Sequence, residues 1–178
     1  MLPINYEKSI KYQRLIYQPK FDIIFNNVLG YPLALGFMYI DSLAIIAAIK
    51  GSHVPIGFLI AFAITLLWML LCIIFRSALI KIEGKSITSN KKDISDTLNH
   101  FFVDVVLNED ELYVLRSFKP SGGWPIWGRI ITVLLKDNII YLNITSTGKT
   151  DTPTYIHGFY DYLRARRIAE FYKSFYEI

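Results

Sequence analysis

"VPIGFLIAFAITLLWMLLCIIF", Val54 to Phe75, runs 22 residues without a charged side chain. A bilayer core of about 30 Å asks for roughly 20 helical residues at 1.5 Å each, so this stretch predicts a membrane-spanning helix. A second apolar run, "LALGFMYIDSLAIIAAI", precedes it over residues 33–49 and carries Asp41 near its middle. That run reaches spanning length when its helix begins earlier, through "NNVLGYP", with Pro32 in the first turns. The linker "KGSH" offers a glycine to end one helix and leads to Pro55, which suits the first turn of the next. The expected arrangement is a tight helical hairpin over residues 31–76, preceded by a cytosolic N-terminal segment (1–30) and followed by a cytosolic β-rich domain (77–178).

Composition agrees with a home in lipid. Of 178 residues, 53% are apolar, with a mean hydropathy of +0.34, too high for an ordinary soluble domain. The net charge of +4 suits a membrane-apposed surface and not a dedicated, sequence-specific nucleic-acid binder. Basic residues flank the hairpin on both sides, as Lys8, Lys11, Arg14 and Lys20 before it and Arg76, Lys81, Lys85, Lys91 and Lys92 after it. The short loop carries only Lys50, so a multi-pass inner-membrane protein with both termini cytoplasmic is expected. The first thirty residues lack the basic stretch and cleavable apolar run of a signal peptide. The single cysteine, Cys72, falls inside the second span, so no disulfide framework is expected.

Before the membrane, "SIKYQRLIY" places Ile10, Tyr12 and Ile16 at period two, broken by Arg14, and fits a strand. "FDIIFNNVL" fits an interfacial helix equally well. After the membrane, strand signals dominate. "SALIKIE" and "HFFVDVVL" read as strands, and the turn "NED" joins the second to "ELYVLRSF" in a hairpin. "KPSGGWP" reads as a loop, "IWGRIITVLL", "KDN" and "IIYLNITS" as a second hairpin, and "TYIH" as a short strand. In "DYLRARRIAEFYKSFYEI", Ile168, Phe171, Phe175 and Ile178 recur at helical spacing with Asp161 in the N-cap position. The fold class expected is a two-helix membrane hairpin plus a small cytosolic β-barrel or pleckstrin-homology-like domain with a C-terminal helix.

Catalytic chemistry is hard to assemble from these residues, and no enzyme, cofactor or metal is expected. His53, His100 and His157 have no metal-ligand spacing and read as structural. "NEDE" at 108–111 reads as a turn and not a cation site, since no calcium-loop spacing surrounds it. "SGG" at 121–123 leads into no helix that would meet a phosphate. "NIT" at Asn143 fits the glycosylation pattern only by chance. Arg129, Arg164 and Arg167, with Arg166, Lys149 and Lys173, either line an anion, nucleotide or lipid-headgroup site or form the solvated face of an amphipathic helix. Trp127 and Trp124 flank the glycine loop, one as a core ring and the other as a ring that stacks on a ligand or touches the membrane.

Asp41 needs a partner, because a charge at the centre of a lone helix in lipid costs about 2.5–3.5 kcal/mol on insertion scales. Asp41, Ala44 and Ala48 share a face of the first expected helix. Gly57, Ala61 and Thr65 recur every four residues along the second, the small-residue pattern that lets helices approach closely. Counted outward from the loop, Asp41 reaches the level of Thr65, whose hydroxyl is one available partner. The other is a homo-oligomer in which Asp41 rings a water-filled space.

In layout, the whole chain resembles the small two-transmembrane effectors of bacterial antiphage systems, linked to cyclic-oligonucleotide signalling or to retrons. That resemblance implies a β domain triggered by a small molecule such as a nucleotide, or by a protein. It also implies a hairpin that oligomerises and permeabilises the bilayer, killing the infected cell. Residues 76–178 also resemble bacterial membrane proteins with a YcxB-like, pleckstrin-homology-like domain, "PIWGRIITVLLKDNIIYLNI" supplying the tryptophan-bearing strand and hairpin and "DYLRARRIAEFYKSF" the closing helix. The alternative function is then a non-toxic, membrane-tethered binding, adaptor or immunity protein.

Overall fold

The computed structural model describes residues 3–17, 36, 39–40, 42–43, 45–47, 50, 56–103, 105–111, 113–123, 126–148, 154 and 156–176. In chain order these form α1 (Tyr6–Tyr12), α2 (Ile56–Phe75), β1 (Ile80–Glu83), α3 (Ile87–Phe101), β2 (Asn108–Glu111), β3 (Val114–Gly123), β4 (Ile126–Lys136), β5 (Ile139–Thr147) and α4 (Gly158–Tyr176).

The strands make one antiparallel sheet in the order β1-β5-β4-β3-β2, with β1 and β2 at its edges. Its centre is the β4–β5 hairpin, paired from Gly128↔Thr147 to Lys136↔Ile139. The turn between them is made at Asp137, whose φ of 51° lies in the left-handed region that aspartate tolerates better than most residues. Alternation along the strands sends Ile131, Val133, Leu135, Ile140, Leu142 and Ile144 to one face, where Ile94 and Leu98 of α3 and Ala165, Ile168 and Tyr172 of α4 bury them. The opposite face, through Val114, Leu134 and Tyr141, is covered by Ile4, Leu15 and Leu79. The sheet is thus the middle of three layers, and β5 is buried along nearly its whole length.

Local chemistry explains where the observed elements differ from expectation. The strand expected over residues 9–17 is instead helix α1 followed by an extended return. Asn5 caps the helix through its side chain, which accepts from the Lys8 amide at 3.1 Å, and the buried Ser9 hydroxyl receives the Ile16 amide at 2.9 Å. "HFFVDVVL" is not a strand: its first residues finish α3, which the sequence reading missed, and residues 105–107 are irregular. The "NED" turn is edge strand β2, tied to β3 with a bulge between Glu109 and Glu111. "KPSGG" continues β3 to Gly123, with a register shift after Pro120. The expected strand at 154–157 does not form among its described residues, Ile156 and His157 lying in a turn that opens α4. Asp161 lies inside the first turn of α4 and does not cap it.

Helix α2 is 20 residues, about 30 Å long at 1.5 Å per residue. Among the described residues it is the one helix long and apolar enough to cross a membrane. Its outer portion stands free of the β domain, Ile56 being 77% and Ile64 62% exposed. The first expected span, at 33–49, lies partly outside the described residues, and those of its residues that are described are helical.

Candidate functional site

The last two turns of α2 meet the start of α4. Gly158 makes the contact: a Cβ there would stand 2.9 Å from the Cβ and 3.0 Å from the Cα of Arg76, and nearer still to the Cys72 carbonyl oxygen. Only glycine allows two backbones this close. Around it, the Trp68 indole N–H and the Cys72 thiol both donate to the Ile156 carbonyl, at 3.2 Å and 3.1 Å. Phe159 lies edge-on to Trp68 at 5.7 Å, and Tyr162 packs on Phe75 at 4.4 Å between ring centres. Asn143 fixes the exit of α2 into the sheet, donating from Nδ2 to the Arg76 and Ala78 carbonyls at 3.2 Å and 2.9 Å while its Oδ1 accepts from the Thr145 hydroxyl at 2.7 Å. This buried, fully engaged amide is no acceptor for a glycan.

Beside this junction, on the sheet face that α4 covers, the register brings Lys119 of β3 opposite Arg129 of β4, and Arg129 opposite Ser146 of β5. Asp161 of α4 reaches down to Ser146, accepting its amide at 2.7 Å and its hydroxyl at 2.8 Å on separate carboxylate oxygens. Burial holds this carboxyl above its ordinary range, although the two Ser146 hydrogen bonds, His157 and Arg129 pull the other way. One turn on, Arg164 lies over the rings of Phe102 at 5.2 Å and Tyr160 at 5.7 Å, within cation–π range. Arg129 titrates below its ordinary value because it is partly buried and because Arg164 is close, an effect that Asp161 and Tyr160 offset in part.

Two guanidinium nitrogens in this cluster, Arg129 Nε and Arg164 Nη1, are buried without a hydrogen-bond partner. The ion pairs among the described residues, Lys91–Glu109 and Arg166–Glu170, involve neither arginine. The arrangement gathers cationic and aromatic side chains around Asp161 beside the α2–α4 junction. No three His, Cys, Asp or Glu side chains converge as a metal set among the described residues.

Of the residues singled out from sequence, Arg129 and Arg164 lie near enough for the charge of one to act on the other. Arg167 is exposed on α4, and Trp127 lies in β4 with its side chain outside what the structure describes. Asp41, Ala44 and Ala48 lie outside the described residues, as do Trp124, Lys149 and His53. Gly57, Ala61 and Thr65 lie on an exposed stripe of α2, and the Thr65 hydroxyl donates to the Ala61 carbonyl of its own helix at 2.9 Å. His100 stacks on Phe171 with ring centres 4.6 Å apart, and His157 Nδ1 lies 3.2 Å from the Thr154 hydroxyl. Lys119, Phe102 and Tyr160 were not foreseen, because strand register and helix docking, and no local motif, place them here.

An open groove of about 440 Å3 lies between α3 and residues 105–107 and is lined by Lys91 and Lys92. No protein-family model, curated protein or solved structure matches the chain.

Proposed function

We propose that the protein is a membrane-anchored binding module, with α2 in the inner membrane and the β domain held against the cytoplasmic surface by the α2–α4 junction. The observation that carries this reading is the free portion of α2: twelve successive uncharged residues, Ile56 to Leu67, most of them exposed. Water does not tolerate such a surface, whereas lipid does. The antiparallel sheet with its C-terminal helix α4 supports the pleckstrin-homology-like reading of residues 76–178, to which α3 is an added helix on the same face, and the cationic side chains beside the junction are the module's candidate binding groups. The test is fractionation of cells producing the full chain. Resistance to alkaline carbonate, with the β domain digested by protease only in inverted vesicles, is the expected result. Release by carbonate overturns the reading.

A second reading, an antiphage effector whose hairpin oligomerises to permeabilise the membrane, is favoured by the small-residue stripe of α2. Among the described residues, nothing outside the helix's own backbone lies within 4 Å of where a Cβ of Gly57 would stand, which suits the close approach of a second helix. In this reading Asp41 of the preceding span faces the assembly. Propidium iodide entry on overproduction, abolished by Asp41→Ala and Thr65→Leu, is its test, and undiminished toxicity of those variants rules it out.

A further inference from the structure

We infer that the turn opening α4, with the first two turns of that helix, is inserted into the bilayer beside the end of α2, so that Ile156, Tyr160 and Leu163 pack among acyl chains and glycerol backbones. The inference deepens the membrane-anchored reading and rests on it. At their joint the two helices run side by side in one direction: the Ile156 carbonyl accepts from Trp68 and Cys72, Gly158 abuts Cys72 and Arg76, and Tyr162 packs on Phe75. At 1.5 Å per residue, Cys72 lies about 5 Å and Trp68 about 10 Å along the axis before Phe75, so Ile156 sits deeper than Phe75 does. Were the bilayer to end short of the joint, at Trp68, the uncharged run left to cross it, Val54 to Leu67, would reach about 21 Å even as continuous helix. A core of about 30 Å is matched when the boundary falls at Phe75, next to Arg76, and the joint then lies inside it.

The surface of α4 changes character at the same level. From Ile156 to Leu163 the exposed side chains are Ile156, Tyr160 and Leu163, spaced by four and three residues along one stripe. The acid of this stretch, Asp161, is turned inward onto Ser146, and the half-buried His157 meets the Thr154 hydroxyl. Past Tyr162, the ring partner of Phe75, charge appears at Arg164, Arg166 and Arg167, just as Arg76 follows Phe75 on α2. Both helices thus turn from apolar to basic at one height, as chains do at a cytoplasmic bilayer boundary. Continuity selects lipid as the occupant of the stripe, because the exposed Trp68 joins the free surface of α2 to Ile156. An amphipathic face immersed about 5–10 Å rests in the interface in this way, and apolar burial of this kind asks for no particular headgroup.

The experiment places a nitroxide on the full chain in a Cys72→Ser background, at Ile156→Cys, Leu163→Cys or Lys173→Cys, with Ile64→Cys as the reference, in nanodiscs of phosphatidylcholine alone. Collision with oxygen is compared with collision with a water-soluble nickel chelate. The oxygen-to-nickel ratio at Ile156 should exceed that at Lys173 roughly tenfold or more, as immersion by about 5–10 Å requires, with Leu163 between the two. Lys173, exposed in the last turn of α4, marks the aqueous end of the gradient. Melting of each labelled chain shows which variants fold, and Tyr160→Cys takes the place of Ile156→Cys if a label there disturbs the joint. Nickel access at Ile156 and Leu163 equal to that at Lys173, with Ile64 still reached by oxygen, overturns the insertion of α4 and leaves the membrane anchor standing. Shielding of Ile156 and Leu163 from both reagents places protein on the stripe, a second copy or the preceding span, and overturns lipid as its occupant. Nickel access at Ile64 overturns the membrane reading and the insertion with it.

Discussion

Replacing Gly158 by alanine probes the joint on which the account turns. The new methyl would stand 2.9 Å and 3.0 Å from Arg76 Cβ and Cα, with the Cys72 carbonyl oxygen closer still. Optimal carbon contacts are about 3.5–4.0 Å, so the start of α4 must retreat from α2 by roughly an ångström. Overpacking of this kind costs about 1–3 kcal/mol. The retreat also stretches the Trp68 and Cys72 hydrogen bonds to Ile156, 3.2 Å and 3.1 Å long in the parent. Such bonds contribute about 0.5–1.5 kcal/mol each, the thiol's at the weak end, giving a total of roughly 2–4 kcal/mol. For a chain of this size that corresponds to a fall in melting temperature of roughly 5–15 °C by differential scanning fluorimetry in detergent. Gly57→Ala is the internal control. Among the described residues nothing lies near its added methyl, and alanine outranks glycine in a helix by about 1 kcal/mol, so it should melt at or above the parent. If Gly158→Ala melts with the parent, α4 does not press on α2 and the proposed rigid coupling of membrane helix to β domain is wrong.

Four further outcomes follow from three buried polar groups. Asp161 keeps its proton to higher pH in the folded chain than in the unfolded one, so its contribution to stability is complete below the ordinary carboxylate range and declines as pH rises through the raised value. Melting of Asp161→Asn relative to the parent should therefore improve from pH 3.5 to pH 7, whereas Asp161→Ala should cost about 1–3 kcal/mol by stranding both Ser146 donors. Asn143→Ala removes the partners of the Arg76 and Ala78 carbonyls and of the Thr145 hydroxyl, and should lower stability by about 1–3 kcal/mol in chemical unfolding. Tyr172, fully buried, has its phenol pushed up to about 12, by burial first and then by Asp93 and Tyr176. The stability it adds is present below the ordinary tyrosine value near 10 and is lost as pH rises toward 12. Tyr172→Phe should flatten alkaline melting over that window.

What the sequence disclosed depended on how locally each feature is encoded. An uncharged run as long as Val54 to Phe75 is helix in lipid almost regardless of its neighbours, and its described residues, Ile56–Phe75, are α2. The β4–β5 hairpin was legible for a similar reason, since Asp137 and Asn138 break two apolar runs with residues that tolerate the turn. Helix α3 hid because two of its buried positions are polar. Asn90 accepts the Lys85 amide at 2.7 Å, and the Thr97 hydroxyl donates to the Asp93 carbonyl, so the apolar stripe of Ile87, Ile94, Leu98 and Phe101 is interrupted. Ser86, whose side chain accepts the Ser89 amide, was the signal that would have found it. Strand β2 hid because it is a short edge with polar residues. The aromatic and β-branched "HFFVDVVL" took its place, with the strand propensity but not the position. The cationic site was half legible. Arg129 and Arg164 could be named from charge, but their relation depends on α4 packing across β5 and β1, and Lys119 enters only through register. Asp161 was noticed for the wrong role, three residues inside a helix that the close contact at Gly158 starts earlier than an N-cap reading allows.

The most direct test of the central claim is the depth of α2. In a Cys72→Ser background, spin labels at Ile64 and at Lys136 in lipid nanodiscs report collision with oxygen, which concentrates in lipid, and with a water-soluble nickel chelate. Ile64 is expected to be reached by oxygen and shielded from nickel, while Lys136 at the end of β4 shows the reverse. Nickel access at Ile64, or shielding of Ile64 from both reagents as in a protein core, would contradict it.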